Sequence, residues 1–149
     1  MNESAENYLK TLLILQKKLG EVRSIDVANE LGISKPSVSV AMKKLRKEGF
    51  VNMDANHNLI LTEDGVNYAN SILERHAVIE RYLIEILNVD EKIAHRDSCR
   101  MEHLVSEETF TKIKESYARI THNCLAGDYT LVPPTILISD IETSDNDMK

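Results

Sequence analysis

Helix breakers are nearly absent from this chain. Its 149 residues include five glycines and three prolines, and two of the prolines are adjacent, Pro133 and Pro134. Glycine and proline are the residues that most strongly interrupt helices, so long stretches are free to be helical. In residues 4–19 the apolar groups fall at Tyr8, Leu9, Leu12, Leu13, Leu15 and Leu19, the period of an amphipathic helix. With five Tyr, two Phe and no Trp, the core must be aliphatic. The expected class is mainly α.

Gly20 ends the first helix. Residues 24–30 form a short second helix, with Ile25, Val27, Ala28 and Leu31 expected to be buried. Gly32-Ile33-Ser34 is a tight turn in which glycine supplies the left-handed backbone and Ile33 is expected to plug the corner. Ser34 is a good N-cap and Pro36 suits a first helical turn, so a third helix runs to about Lys47. Residues 50–53 and 59–62 are two short strands around the polar turn Asp54-Ala55-Asn56-His57. Thr62 then caps a fourth helix expected to reach about Leu87. Residues 90–104 and 106–120 are a fifth and a sixth helix. Residues 129–138 are expected to be extended and packed on the body, and 139–149, acidic and polar, to be disordered.

Two helices, a glycine turn, a basic helix and a two-stranded ribbon make a winged helix-turn-helix. Net charge is −6, but it is unevenly spread. Residues 1–62 carry nine Lys/Arg against seven Asp/Glu, residues 63–149 nine against seventeen, and Lys35 to Lys47 contains five basic residues and no acid. The third helix is therefore expected in the major groove of duplex DNA. Lys35, Pro36, Ser37, Ser39, Val40, Lys43, Lys44 and Lys47 are the candidate contacts. Serines and lysines can hold phosphates, and Val40 could meet a thymine methyl. Charge runs are more often plain solvated surface, but this one falls on the helix that the motif selects.

The second half carries potential metal ligands at one-turn spacing. His76 and Glu80 stand i, i+4 on the fourth helix. On the fifth come His95, Cys99, Glu102 and His103. Imidazole and thiolate select first-row transition metals over Mg²⁺ or Ca²⁺. Any one of these residues alone is more often ordinary surface or core; six on two successive helices are harder to dismiss. His122 and Cys124 are weaker candidates. Two isolated cysteines, Cys99 and Cys124, make no disulfide framework. The polar N-terminus has no secretory pattern, no apolar run is long enough to span a bilayer, and a cytoplasmic location is expected.

The chain resembles the diphtheria-toxin-repressor family of iron- and manganese-dependent transcriptional repressors over roughly residues 4–120. The resemblance rests on Cys99-Arg100-Met101-Glu102-His103 followed by Val105-Ser106, on Arg75-His76 with Glu80 and then Arg81-Tyr82-Leu83, and on Leu61-Thr62 with Gly65. It implies that Cys99, Glu102 and His103 form one metal site completed from the first helix, where Asn7 occupies the ligand position. It implies that His76, Glu80 and His95 form an ancillary site. The position of a manganese-type carboxylate is Lys10 here, with Glu3 or Glu6 as the candidate substitute. Cys99 follows the iron-type pattern. Too few residues follow Arg119 for the SH3-like domain of some members, so a short form is expected.

The expected function is a homodimeric, non-enzymatic repressor that binds operator DNA when Fe²⁺ is abundant, with Mn²⁺, Zn²⁺, Co²⁺ or Ni²⁺ as other possible ions. Residues 1–62 would bind DNA, 63–120 would bind metal and dimerise, and 121–149 would form an extension. Metal would shift a population towards dimers whose recognition helices match one groove spacing. Val89, Ile93, Leu104, Val105, Phe110 and Ile113 are the expected dimer surface. One alternative is a winged-helix regulator with a non-metal effector, for which metal would leave DNA affinity unchanged. The other is a small metal-binding protein or metalloenzyme, against which the sequence offers no nucleophile motif.

Overall fold

The computed structural model describes the backbone of residues 1–124 and the side chains of residues 1–122. The expectations for residues 129–138 and 139–149, and for Cys124 as a ligand, lie outside the described residues. Two compact units divide within the fourth helix, between Leu73 and Glu74.

The first unit opens with α1 (Glu3–Leu19), whose first turn is capped by Asn2 accepting from the Ala5 N–H at 3.0 Å. Next come α2 (Ser24–Leu31) and α3 (Lys35–Lys47). Gly32 links them with φ +64°, a left-handed conformation that costs glycine little. Ser34 caps α3 by accepting from the Ser37 N–H at 3.3 Å. Strands β1 (Val51–Met53) and β2 (Leu59–Leu61) pair antiparallel, Val51 opposite Leu61 and Met53 opposite Leu59. The Leu59 N–H also donates to the Val22 carbonyl at 2.7 Å, tying the ribbon to the α1–α2 loop. α4 (Glu63–Arg81) begins at Thr62, whose hydroxyl accepts from the Gly65 N–H and donates to the Gly49 carbonyl. Gly65 has no room for a side chain: a Cβ there would lie 2.1 Å from the Phe50 carbonyl oxygen.

The core of this unit is aliphatic, as the scarcity of aromatics requires. Leu9, Leu12, Val22, Val27, Val38 and Val51 are essentially without exposure, and Phe50 and Tyr68 close it edge to face. Two expectations fail. Ile25 is 43 % exposed, because it stands on the side of α2 opposite Val27. Ile33 is 37 % exposed; the corner is closed instead by its backbone N–H donating to the Ala28 carbonyl at 3.0 Å.

The second unit starts at Glu74. α4 does not continue regularly to Leu87: Tyr82–Ile86 widen into a π-helical segment, closed by the Leu87 N–H donating to the Tyr82 carbonyl. Asp90 caps α5 (Glu91–Leu104), accepting from the N–H groups of Lys92 and Ile93. Ser106 caps α6, which runs further than expected, Glu107–Cys124. Ala77, Ile79, Ala94 and Phe110 are buried here, and so are His76, Ser98 and Glu102. Phe110, expected on the dimer surface, is only 5 % exposed and packs under the Arg75 guanidinium. Among the described residues no helix is long and apolar enough to cross a membrane.

Candidate metal centre and nucleic-acid interface

The second unit draws its ionisable groups to one place. On α4, one turn apart, stand His76 and Glu80; on α5, over two turns, stand His95, Cys99, Glu102 and His103. Donor atoms of His76, His95 and Cys99 all lie within 4.8 Å of one another. The Cys99 sulfur is 3.9 Å from His76 Nδ1 and 3.8 Å from His95 Nε2, and the two rings meet edge to face at 5.1 Å. Glu80 reaches both imidazoles, 2.9 Å from His95 Nδ1 and 3.4 Å from His76 Nε2. Glu102, with no exposed side-chain surface, puts Oε2 2.8 Å from His76 Nδ1 and Oε1 3.1 Å from His103 Nε2.

Glu80 draws together His76 and His95, the members of the ancillary set that the resemblance implies. Cys99, from the other implied set, stands against the same two histidines, with donor atoms of all three within 4.8 Å. Glu102 bridges the sets, since it touches both His76 and His103. Glu80 makes its ion pairs with the two histidines. Asn7 is a half-buried residue of α1, in the first unit. His122 is half-buried on the last turn of α6.

Burial alone would push the pKa of His76 down, but Cys99, Glu102 and Glu80 surround the ring and win, raising it to about 11. The hydrogen bond to His76 holds the Glu80 carboxyl below its ordinary range against partial burial. Two carboxylates therefore share a secluded place where a proton on His76 supplies compensating charge. A divalent cation can supply that charge instead. Imidazole, thiol and carboxylate together suit a first-row transition metal, so the residues fit such an ion.

Two residues around the centre had no signal in the spacing. The Ser98 hydroxyl donates to the His95 carbonyl at 2.8 Å and lies 3.4 Å from His76 Nδ1. Arg75 donates to the carbonyls of Glu102 and Val105, at 3.2 and 2.6 Å, and to Glu107 at 2.7 Å. It thereby ties the C-terminal end of α5, where Glu102 and the other candidate ligand His103 stand, to the start of α6. The run Arg75-His76 was visible in the sequence, but its carbonyl partners were not.

In the first unit, α3 buries Val38, Met42 and Leu45. Lys35, Pro36, Ser37, Ser39, Val40, Lys43, Lys44 and Lys47 are all exposed. Lys44 lies 3.9 Å from Glu48, leaving most of its surface in solvent. At the ribbon tip, Asp54 accepts from the backbone of Asn56 and Asn58. The Asn58 backbone bond is the main cause of its lowered pKa. His57 is exposed, with φ +63°.

A winged helix-turn-helix beside a helical unit with clustered metal-type ligands defines a class, the metal-responsive DNA-binding regulators. Comparison with known proteins narrows it. Residues 1–58 match the iron dependent repressor N-terminal DNA binding domain, and residues 62–128 match the iron dependent repressor metal binding and dimerisation domain. An uncharacterized HTH-type transcriptional regulator of Methanocaldococcus jannaschii is 33 % identical over 115 residues, 76 % of this chain and 92 % of that protein. The transcriptional regulator MntR of Escherichia coli O6:H1 is 37 % identical over 107 residues, 72 % of this chain and 68 % of its own. The structure of the manganese regulator SloR aligns with a TM-score of 0.67 at 28 % identity, over 78 % of this chain and 54 % of that one. The chain belongs to the iron-dependent repressor family of metal-dependent transcriptional repressors.

Proposed function

We propose that this protein is a non-enzymatic, cytoplasmic, homodimeric repressor that binds operator DNA when Fe²⁺ is bound. Residues 1–62 serve DNA, 63–120 serve metal and dimerisation, and 121–149 form an extension. The carrying observation is the convergence of His76, His95 and Cys99 within 4.8 Å, with the carboxylates of Glu80 and Glu102 against them. These five residues and His103 are the proposed ligands. When bound, the ion would supply positive charge to the carboxylates of Glu80 and Glu102 and would be held by residues of α4 and α5. Cys99 loses its thiol proton and His76 gives up the proton that its carboxylate neighbours hold there. Arg75 keeps the α5 carbonyl end in place. Cys99 favours iron over manganese, because thiolate is the softer donor; Mn²⁺, Zn²⁺, Co²⁺ and Ni²⁺ remain competent ions in vitro. The exposed Ile93 and Leu104, with the partly buried Val89, Val105 and Ile113, supply apolar surface for the second copy.

The test is binding to a regulatory duplex without metal and with Fe²⁺ under anaerobic conditions, Mn²⁺ or Zn²⁺. Metal is expected to raise affinity by at least tenfold, and Cys99→Ala and His103→Ala to remove the response to Fe²⁺ while salt-sensitive basal binding persists. Equal affinity with and without every metal would end the proposal.

A further inference from the structure

We infer that Val40 is a specificity-determining residue, which reads the C5-methyl group of a thymine in the major groove. The inference rests on the repressor function proposed above and deepens it. On α3 the side opposite the buried Val38, Met42 and Leu45 carries Pro36, Val40, Lys43 and Lys47 at helical spacing. This outermost stripe is apolar over its first half and cationic over its second. Val40 leaves 72 % of its surface in water, more than any other large hydrophobic side chain of α3. Neither asparagine nor glutamine occurs in α3. Its one arginine, Arg46, lies next to the buried face and points a guanidinium nitrogen 4.0 Å from the Met53 sulfur. The outer stripe therefore carries no side-chain amide to read adenine and no guanidinium fork to read guanine.

Ser37 is also partly committed. Its hydroxyl lies 2.7 Å from that of Ser34 and its N–H donates to the same atom, so it belongs to the N-cap. Lys43 and Lys47 are flexible point charges that suit phosphates and carry little sequence information. Among base edges in the major groove, the apolar feature is the thymine methyl. An exposed valine on the central turn of the groove-facing stripe is its natural partner, and Pro36 one turn earlier extends the apolar surface.

The experiment uses the full chain loaded with Mn²⁺ and a random 30-base-pair duplex library. Selected sites are resynthesised with deoxyuridine replacing thymidine one position at a time, which removes the methyl and leaves pairing intact. For the natural protein, uridine at one thymine per half-site should lower affinity by about fourfold, the worth of one buried methyl-sized group. Val40→Ala should lose about the same factor on the thymine duplex and be insensitive to uridine at that position. Because Val40 is exposed, the variant should keep its melting temperature. Uridine tolerated everywhere, or a uridine penalty unchanged in Val40→Ala, overturns the inference while the repressor function stands. Failure to select any duplex, with or without metal, overturns both.

Discussion

The two units solve burial in opposite ways. The first packs leucines and valines from three helices and a ribbon, and its main cluster of buried hydrophobic residues runs from Ala5 to Ala69 without an ionisable side chain. Among its described residues, the second buries a histidine and a glutamate with four hydrophobic residues, two of them alanines. Apolar burial is indifferent to pH and ions, whereas buried charge must be compensated by a proton, a partner or a metal. The difference suits the first unit to a constant task and the second to a conditional one.

The strongest way to break this contrast is to damage the apolar core. Leu9→Ala removes a side chain with no exposure and should cost about 2–5 kcal/mol. Urea unfolding should show that loss in the first unit, while the Co²⁺ affinity of the folded protein stays within about twofold. A matching loss of Co²⁺ affinity would mean that the units do not behave separately.

A smaller effect should follow pH. The raised pKa of His76 means that its partners stabilise the fold fully below about 6.5, and that this contribution fades as pH climbs towards about 11. Metal competes for the same groups, so its affinity should rise with pH through that window and binding should release protons. Calorimetry in buffers of different ionisation enthalpy measures the release. Proton uptake, or none, would contradict the charge exchange at His76. The Glu80 carboxyl works in the other direction: its contribution is present above about 4.5 and is lost as acid titrates it through its lowered value.

The smallest effects test the DNA-facing side. Lys47→Ala should weaken duplex binding for all sequences and reduce the salt slope by about one, with the metal response unchanged. An unchanged salt slope would place the α3 terminus away from phosphate.

Much of the first unit was legible because its signals are local. Ser34 and Pro36 start α3, Gly32 turns the chain, and Thr62 caps α4; each acts within four residues of its own position. Ile25 and Ile33 depart from expectation because hydrophobic type does not fix burial: helix phase puts one on the outer side, and a backbone hydrogen bond closes the corner in place of the other. The π-helical segment at Tyr82–Ile86 carries no glycine or proline to announce it.

The sequence by itself determined the candidate ligands and the faces they share, since i, i+4 spacing fixes neighbours within one helix. Which residue of α4 stands opposite which turn of α5 depends on helix packing, and spacing along either helix contains no such term. Tertiary structure alone therefore set Cys99 between His76 and His95, placed Glu102 against both His76 and His103, and brought Arg75 to the carbonyls of Glu102 and Val105. The same holds for Gly65, plain in the sequence as a glycine, whose necessity comes from the Phe50 carbonyl fifteen positions earlier in the chain.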